Sequence, residues 1–141
     1  TSFNYELMCQ GRDKLEYYIE DYKRRSETLS KKEQDTMKDM KIVQEMYARG
    51  FEFMPIDIFR VKAHYCQIID GKIMPSLTSI DGMGDNAAEG VEAAAKNGPF
   101  LSKEDFAQRS KVSSTTADYM YQMHLLGNIP EKNQISLFDL N

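Results

Sequence analysis

The sequence has no tryptophan, only two cysteines among 141 residues, and no apolar run near the roughly 20 residues that span a bilayer. With neither such a run nor a signal-peptide pattern at its start, no membrane-spanning helix and no leader are expected. Cys9 and Cys66 lack CxxC spacing and have no histidine pair at ligand spacing, so a reduced, intracellular chain without a zinc site is expected. The first residue is Thr1 rather than Met, which points to a fragment or a processed product. Catalytic signatures are missing too: there is no Asp-x-Asp pair for two-metal phosphoryl transfer, no P-loop, no HExxH and no GxSxG. No catalytic residue, metal ligand or cofactor is therefore assigned to this segment.

Positive charge is also in short supply, since the net charge of −4 argues against gripping nucleic acid by bulk electrostatics. Its distribution is uneven. Residues 1–50 carry 10 acidic and 10 basic side chains, whereas residues 78–100 carry Asp81, Asp85, Glu89 and Glu92 against Lys96 alone. Any nucleic-acid contact in that later stretch must use backbone groups. The basic runs Lys23-Arg24-Arg25 and Lys31-Lys32 read as a solvated helix end and a loop.

What is present is a globular composition, 41% hydrophobic and 28% charged, enough for one or two small domains. Leu15, Tyr18, Ile19 and Tyr22 recur at helical spacing within a helix expected from about Tyr5 to Arg25. Ser30 followed by Glu33 reads as a capping box opening a second helix, with Met37, Met40, Val43, Met46 and Tyr47 on one face and Gly50 as its stop. The pattern then changes to alternation. Phe51-Glu52-Phe53 and Ile56-Asp57-Ile58, separated by Pro55, suit short or edge strands. Tyr65 to Ile69, Asp70-Gly71 and Lys72-Ile73-Met74 read as a tight hairpin. His64 stands alone beside this ribbon and receives no role.

Gly82-Met83-Gly84 lies immediately before an Ala-rich helical stretch. The glycines permit positive φ and close approach of another backbone. Met83 plugs into the core beneath the turn, Ala87 and Ala88 let the helix pack closely, and outward-pointing amides of the turn and helix start make a site for a phosphate oxygen. A comparable turn follows about thirty residues later at Lys111-Val112-Ser113-Ser114, with Val112 repeating the plug of Met83. Ser113 and Ser114 read as a cap and a phosphate donor. Two helix–hairpin–helix units stacked this way bury a face that neither buries alone, and the pair straddles a minor groove without reading bases. The DNA-binding candidates are Gly82, Met83, Gly84, Asn86, Lys111, Val112, Ser113 and Ser114. His124, near a helix end, reads as a favourable dipole contact.

The C-terminal peptide Gln134-Ile135-Ser136-Leu137-Phe138 places three large apolar residues where chain ends are normally polar. Either it folds back on its own core or it waits for a pocket on another protein. The fold class expected is mainly α with a small β-ribbon: a helical pair over 1–50, the ribbon over 51–77, a tandem helix–hairpin–helix unit over 78–127 and an extended tail over 128–141.

Glu6-Leu7-Met8-Cys9, Glu45 through Phe53, Ile69-Asp70-Gly71, Ser79 through Ala88, Phe100 through Asp105 and Gln134 through Phe138, in that order, resemble the C-terminal end of the PolC-type DNA polymerase III α subunit of low-GC Gram-positive bacteria. That resemblance implies a DNA-directed DNA polymerase with 3′–5′ exonuclease as the parent, with magnesium held by palm carboxylates upstream. Residues near the N-terminus correspond to the end of the fingers. The tandem hairpins imply binding of primer–template duplex, and Gln134, Ile135, Ser136, Leu137 and Phe138 imply docking on the sliding clamp (β subunit). The rest of the polymerase chain is a further implied partner, with no membrane association and a cytoplasmic, nucleoid-associated location. The sequence departs from the family at Asp81 (usually Pro), at Ile135 (usually Leu) and at Ala95, where a basic residue is usual and Lys96 is adjacent. Asp81 beside a phosphate weakens contact at the first turn, whereas Leu-to-Ile exchanges usually cost less than about 1.5 kcal/mol. Two other readings remain: a non-enzymatic protein-interaction domain, and the duplex-binding end of a repair nuclease.

Overall fold

The structure, a computed structural model, describes residues 5–132. In chain order its elements are α1 (Tyr5–Cys9), α2 (Arg12–Arg24), α3 (Lys31–Ala48), β1 (Gln67–Ile69), β2 (Lys72–Met74), α4 (Asp85–Ala95), α5 (Lys103–Ser110) and α6 (Ser114–Gln122). Short 3₁₀ turns lie at Ser26–Thr28 and Leu77–Ser79. The chain is thus mainly helical with one antiparallel ribbon. Among the described residues, no helix is long and apolar enough to cross a membrane.

The helix expected over Tyr5–Arg25 is in fact two. Gly11 adopts φ +95°, a left-handed-side backbone that interrupts the helix between α1 and α2. α3 begins as its sequence dictates: Ser30 Oγ accepts the Glu33 amide at 3.2 Å, and the Ser30 amide donates to Glu33 Oε1 at 3.1 Å. It ends in a Schellman turn, where the Gly50 amide reaches Tyr47 O and the Phe51 amide reaches Met46 O. Leu15 and Ile19 of α2 pack with Met8, Met37, Met40 and Val43 in one core cluster. Met46 is not part of that face. It turns outward with Ile42 and Phe51, so the expected five-residue stripe on α3 is one residue shorter.

The alternating segments before the ribbon are not strands. Phe53 makes a single parallel bridge to Ile73, and Pro55 removes the next donor. Ile56 and Ile58 are both buried, but Asp57 between them accepts the Phe59 amide at 3.0 Å and pairs with Arg60 at 2.9 Å. An Asx turn anchored by two isoleucines produces the same alternation as a strand. The hairpin itself has register Ile69↔Lys72, with Asp70 (φ 52°) and Gly71 (φ 80°) both left-handed. That is the two-residue loop whose twist matches its strands.

A larger core joins the ribbon to the C-terminal helices through Met74, Leu77, Ile80, Val91, Phe106 and Met120, all essentially inaccessible. α1 spans the two cores, with Tyr5 in the larger and Met8 in the smaller. Arg109 fastens α4 to α5: its guanidinium donates to the carbonyls of Ala94, Gly98 and Pro99, pairs with Asp105 and lies 4.5 Å from the Phe100 ring centre. The Leu101 amide and then Arg109 hold the Asp105 carboxyl below its usual range.

Candidate nucleic-acid interface

Two turns in the larger core superimpose in role at a constant sequence offset. Leu77 and Phe106, Met83 and Val112, Ala88 and Ala117, and Val91 and Met120 are each 29 positions apart, and all eight are buried. In the first unit the 3₁₀ turn Leu77–Ser79 leads through Gly82 (φ 84°) to Gly84, which caps α4. In the second, α5 leads through Lys111 (φ 60°) to Ser113, which caps α6. The first full helical bonds also match, from the Ala88 amide to Gly84 O and from the Ala117 amide to Ser113 O, each at 3.0 Å. Met83 and Val112 are both buried, each lying beneath its turn.

The small side chains have a measurable purpose. A Cβ placed on Gly90 of α4 would lie 2.3 Å from the backbone oxygen of Ser110 in α5. Only glycine allows this crossing, and the crossing fixes one hairpin relative to the other.

The two hairpins differ in chemistry. At the second, Lys111, Ser113, Ser114 and Thr115 are exposed. Ser113 Oγ is already committed, accepting the Thr116 amide at 3.1 Å and donating to Thr116 Oγ1 at 3.0 Å. The exposed hydroxyls of Ser114 and Thr115 follow it. At the first, exposed Asp81, Asp85 and Asn86 flank the turn, and Gly84 offers the α4 amides no side-chain cap. A depression of about 360 Å³ runs along Thr78–Gly84.

His64 does not stand alone. Its Nε2 is 2.9 Å from Glu89 Oε1 and its Nδ1 is 3.6 Å from Asp85 Oδ1, both on α4. Hydrogen bonding to Glu89, then the fields of Asp85 and Glu92, raises its pKa above the ordinary histidine value against the opposing effect of burial. His124 is a backbone device: at φ 61° it occupies the left-handed position of the turn closing α6, with the Leu125 amide returning to Met120 O.

The chain leaves α6 and returns to the start of α5, where the Lys103 and Glu104 amides donate to the carbonyls of Pro130 and Glu131 at 2.8 and 2.9 Å. Lys103 Nζ pairs with Asp118 at 2.6 Å, which raises its pKa. Gln134, Ile135, Ser136, Leu137 and Phe138 lie outside the described residues.

Three features escaped sequence reasoning. Lys111 was legible as a cation but not as the left-handed counterpart of Gly82; the 29-residue spacing of Met83 and Val112 was the available signal. Gly90 and Arg109 have no reading in the sequence at all. Neither carries a local pattern, because each is defined by a neighbour from another helix.

A family model for the helix-hairpin-helix motif matches residues 50–134. The chain is similar to DNA polymerase III PolC-type of Bacillus cereus, 37% identical over 137 residues, which are 96% of this chain and 10% of that protein. It is similar to the same enzyme of Streptococcus pyogenes serotypes M5 and M12, 36% identical over 140 residues, 98% of this chain and 10% of those proteins. The chain thus spans about a tenth of the length of the curated relatives it matches. Paired hairpins in register and a matched family model agree: the chain belongs to the helix-hairpin-helix motif family, in the form similar to PolC-type DNA polymerase III.

Proposed function

We propose that this chain is the duplex-holding end of a replicative DNA polymerase. The parent is a DNA-directed polymerase with 3′–5′ exonuclease, acting in the cytoplasm on the nucleoid. The observation that carries the reading is the 29-residue repeat of left-handed turn, buried plug and helix start. Such a pair offers outward amides to two phosphates and contacts no base edge, so it suits an enzyme that must slide along any sequence. Lys111 supplies charge and Ser114 a hydroxyl at the second hairpin, while Gly82, Gly84 and Asn86 border the first. Met83 and Val112 act from below by holding each turn's shape. Magnesium and the catalytic carboxylates belong to the remainder of the parent. Among the described residues no group of three or more His, Cys, Asp or Glu side chains is placed to hold a metal.

The same proposal assigns Gln134, Ile135, Ser136, Leu137 and Phe138 to the sliding clamp. What supports it is the anchoring of Pro130 and Glu131 at the N-terminal end of α5, whereas the second hairpin lies at its C-terminal end. Eight residues of helix separate these points by about 12 Å, so clamp and duplex need not compete for one surface. A short peptide binds weakly alone, and joining it to a duplex-binding unit raises avidity by roughly 10²–10⁴.

Two measurements test this. The chain should bind duplex DNA of any sequence, with affinity falling steeply as salt rises; no binding at low salt rejects the hairpin reading. Phe138→Ala should abolish clamp binding and leave duplex affinity intact; an unchanged clamp interaction removes the peptide from the mechanism. The acidic flank Asp81 and Asp85 favours one rival, a protein-facing interaction domain. That rival predicts clamp binding without any response to duplex.

A further inference from the structure

Resting on the duplex-binding reading, we propose that His64 is the positioning residue of the first hairpin, a protonated counter-charge that draws the Asp85 carboxylate away from the phosphate site. Two anions compete at the first hairpin. Asp85 is the first residue of α4 and follows directly on Gly84, so its carboxylate and a phosphate both favour the same positive helix end. Asp81 on the other side of the turn adds to the repulsion, and Glu89 and Glu92 follow along α4.

His64 is brought to this stripe by a clip that does not depend on its own charge. The Ala63 amide donates to Glu92 Oε1 at 3.1 Å, and the carbonyls of Lys62 and Ala63 accept the amides of Leu77 and Thr78 at 2.9 and 3.1 Å. The ring is thereby held across Asp85 and Glu89, one nitrogen facing each carboxylate. A neutral imidazole has one N–H and serves one of them. The imidazolium has two, so protonation adds a donor toward Asp85 and cancels one of the charges facing a phosphate. The ring is partly exposed to solvent, and the charged groups facing it are Asp85, Glu89 and Glu92. The first hairpin is therefore a conditional phosphate site, open when His64 is charged, beside a second hairpin whose cation is Lys111.

Duplex binding by the whole 141-residue chain, at fixed low salt, tests this at about pH 6 and about pH 8. The wild type should bind about two- to fivefold more tightly at the lower pH, the size of one screened charge near a phosphate. His64→Gln keeps a donor but cannot charge, and should bind weakly with most of that pH response gone. His64→Arg should bind tightly at both pH values. Asp85→Asn should raise affinity and reduce the pH response. If His64→Gln binds duplex with the wild-type pH response, the role of His64 is overturned while the duplex reading stands. If no variant binds duplex at either pH, both fall together.

Discussion

The Tyr119 hydroxyl donates to Glu6 Oε1 at 2.9 Å, joining α6 to α1 across 113 positions of sequence. Two further tyrosines hold the same short helix. The Tyr5 hydroxyl accepts the Ile56 amide at 3.2 Å, and the Tyr47 hydroxyl donates to Met8 O at 2.6 Å. α1 has five residues, far too few to be stable alone, so its conformation is imposed by these partners. Tyr119→Phe keeps the ring and deletes the hydrogen bond to a carboxylate, and should cost about 1–2 kcal/mol. The denaturant midpoint reports the loss. An unchanged midpoint would mean that α1 is held by apolar packing alone.

The close crossing of α4 and α5 gives two opposite expectations from one spot. Gly90→Ala places a methyl group 2.3 Å from Ser110 O, a backbone atom that cannot swing aside. Overpacking of this kind costs about 1–3 kcal/mol, more than the roughly 1 kcal/mol gained in helix propensity. Duplex affinity should fall as well, since the crossing sets the spacing of the hairpins. Ser110→Ala should do the reverse. Its Oγ is buried with no hydrogen-bond partner among the described residues, and deleting an unsatisfied hydroxyl removes a penalty of about 1–3 kcal/mol. Thermal unfolding of the two variants distinguishes them; a stabilised Gly90→Ala would show that the helices separate freely.

Local chemistry explains which parts of the fold were legible. Ser30 and Glu33 make their capping box, and Asp70-Gly71 makes its turn, from groups within four residues of each other. Met83 and Val112 were legible as plugs because a glycine or serine turn before a helix start constrains what lies between. Met46 was misread because helical periodicity cannot say which of two apolar faces finds a partner, and α2 covers only one. Ile56 and Ile58 were misread because an Asx turn flanked by two buried isoleucines and a strand share a two-residue period. His64 and Arg109 were invisible for another reason: their partners lie on other elements, brought near only by the packing of α4.

Burial predicts the alkaline limit of the fold. It pushes the Cys9 thiol from its usual 9.0 and the Tyr5 hydroxyl from 10.0 both up to about 12. Each neutral form is favoured by folding, so the native chain holds these protons more tightly than the unfolded chain does. The resulting stability is intact below the unfolded values and is lost as pH rises from there through about 12. Cys9 titrates first in the unfolded chain, and its thiol lies 3.5 Å from Met54 O as a donor. Denaturant midpoints should therefore begin to fall near the usual thiol value, and Cys9→Ala should delay that onset. Identical onsets in both proteins would assign the alkaline transition to other groups.

The contrast between Lys111 and Asp81 allows charge to be separated from backbone shape. Lys111 holds φ 60°, a conformation glycine adopts at least as readily, so Lys111→Gly removes the ammonium group and keeps the turn. Stability should stay within about 1 kcal/mol, because relief of left-handed strain offsets the entropy of an added glycine. Duplex affinity should still drop several-fold, and the salt dependence should weaken by about one counterion, as expected for loss of a phosphate contact. Asp81→Asn at the other hairpin should move affinity upward, because it removes a repulsive charge and leaves Gly82 and the Met83 plug untouched. Binding titrations at several salt concentrations, read as slopes rather than single affinities, measure both effects. Equal slopes for the wild type and Lys111→Gly would mean that the second hairpin meets no phosphate through its side chain, leaving its contact to the α6 amides and Ser114.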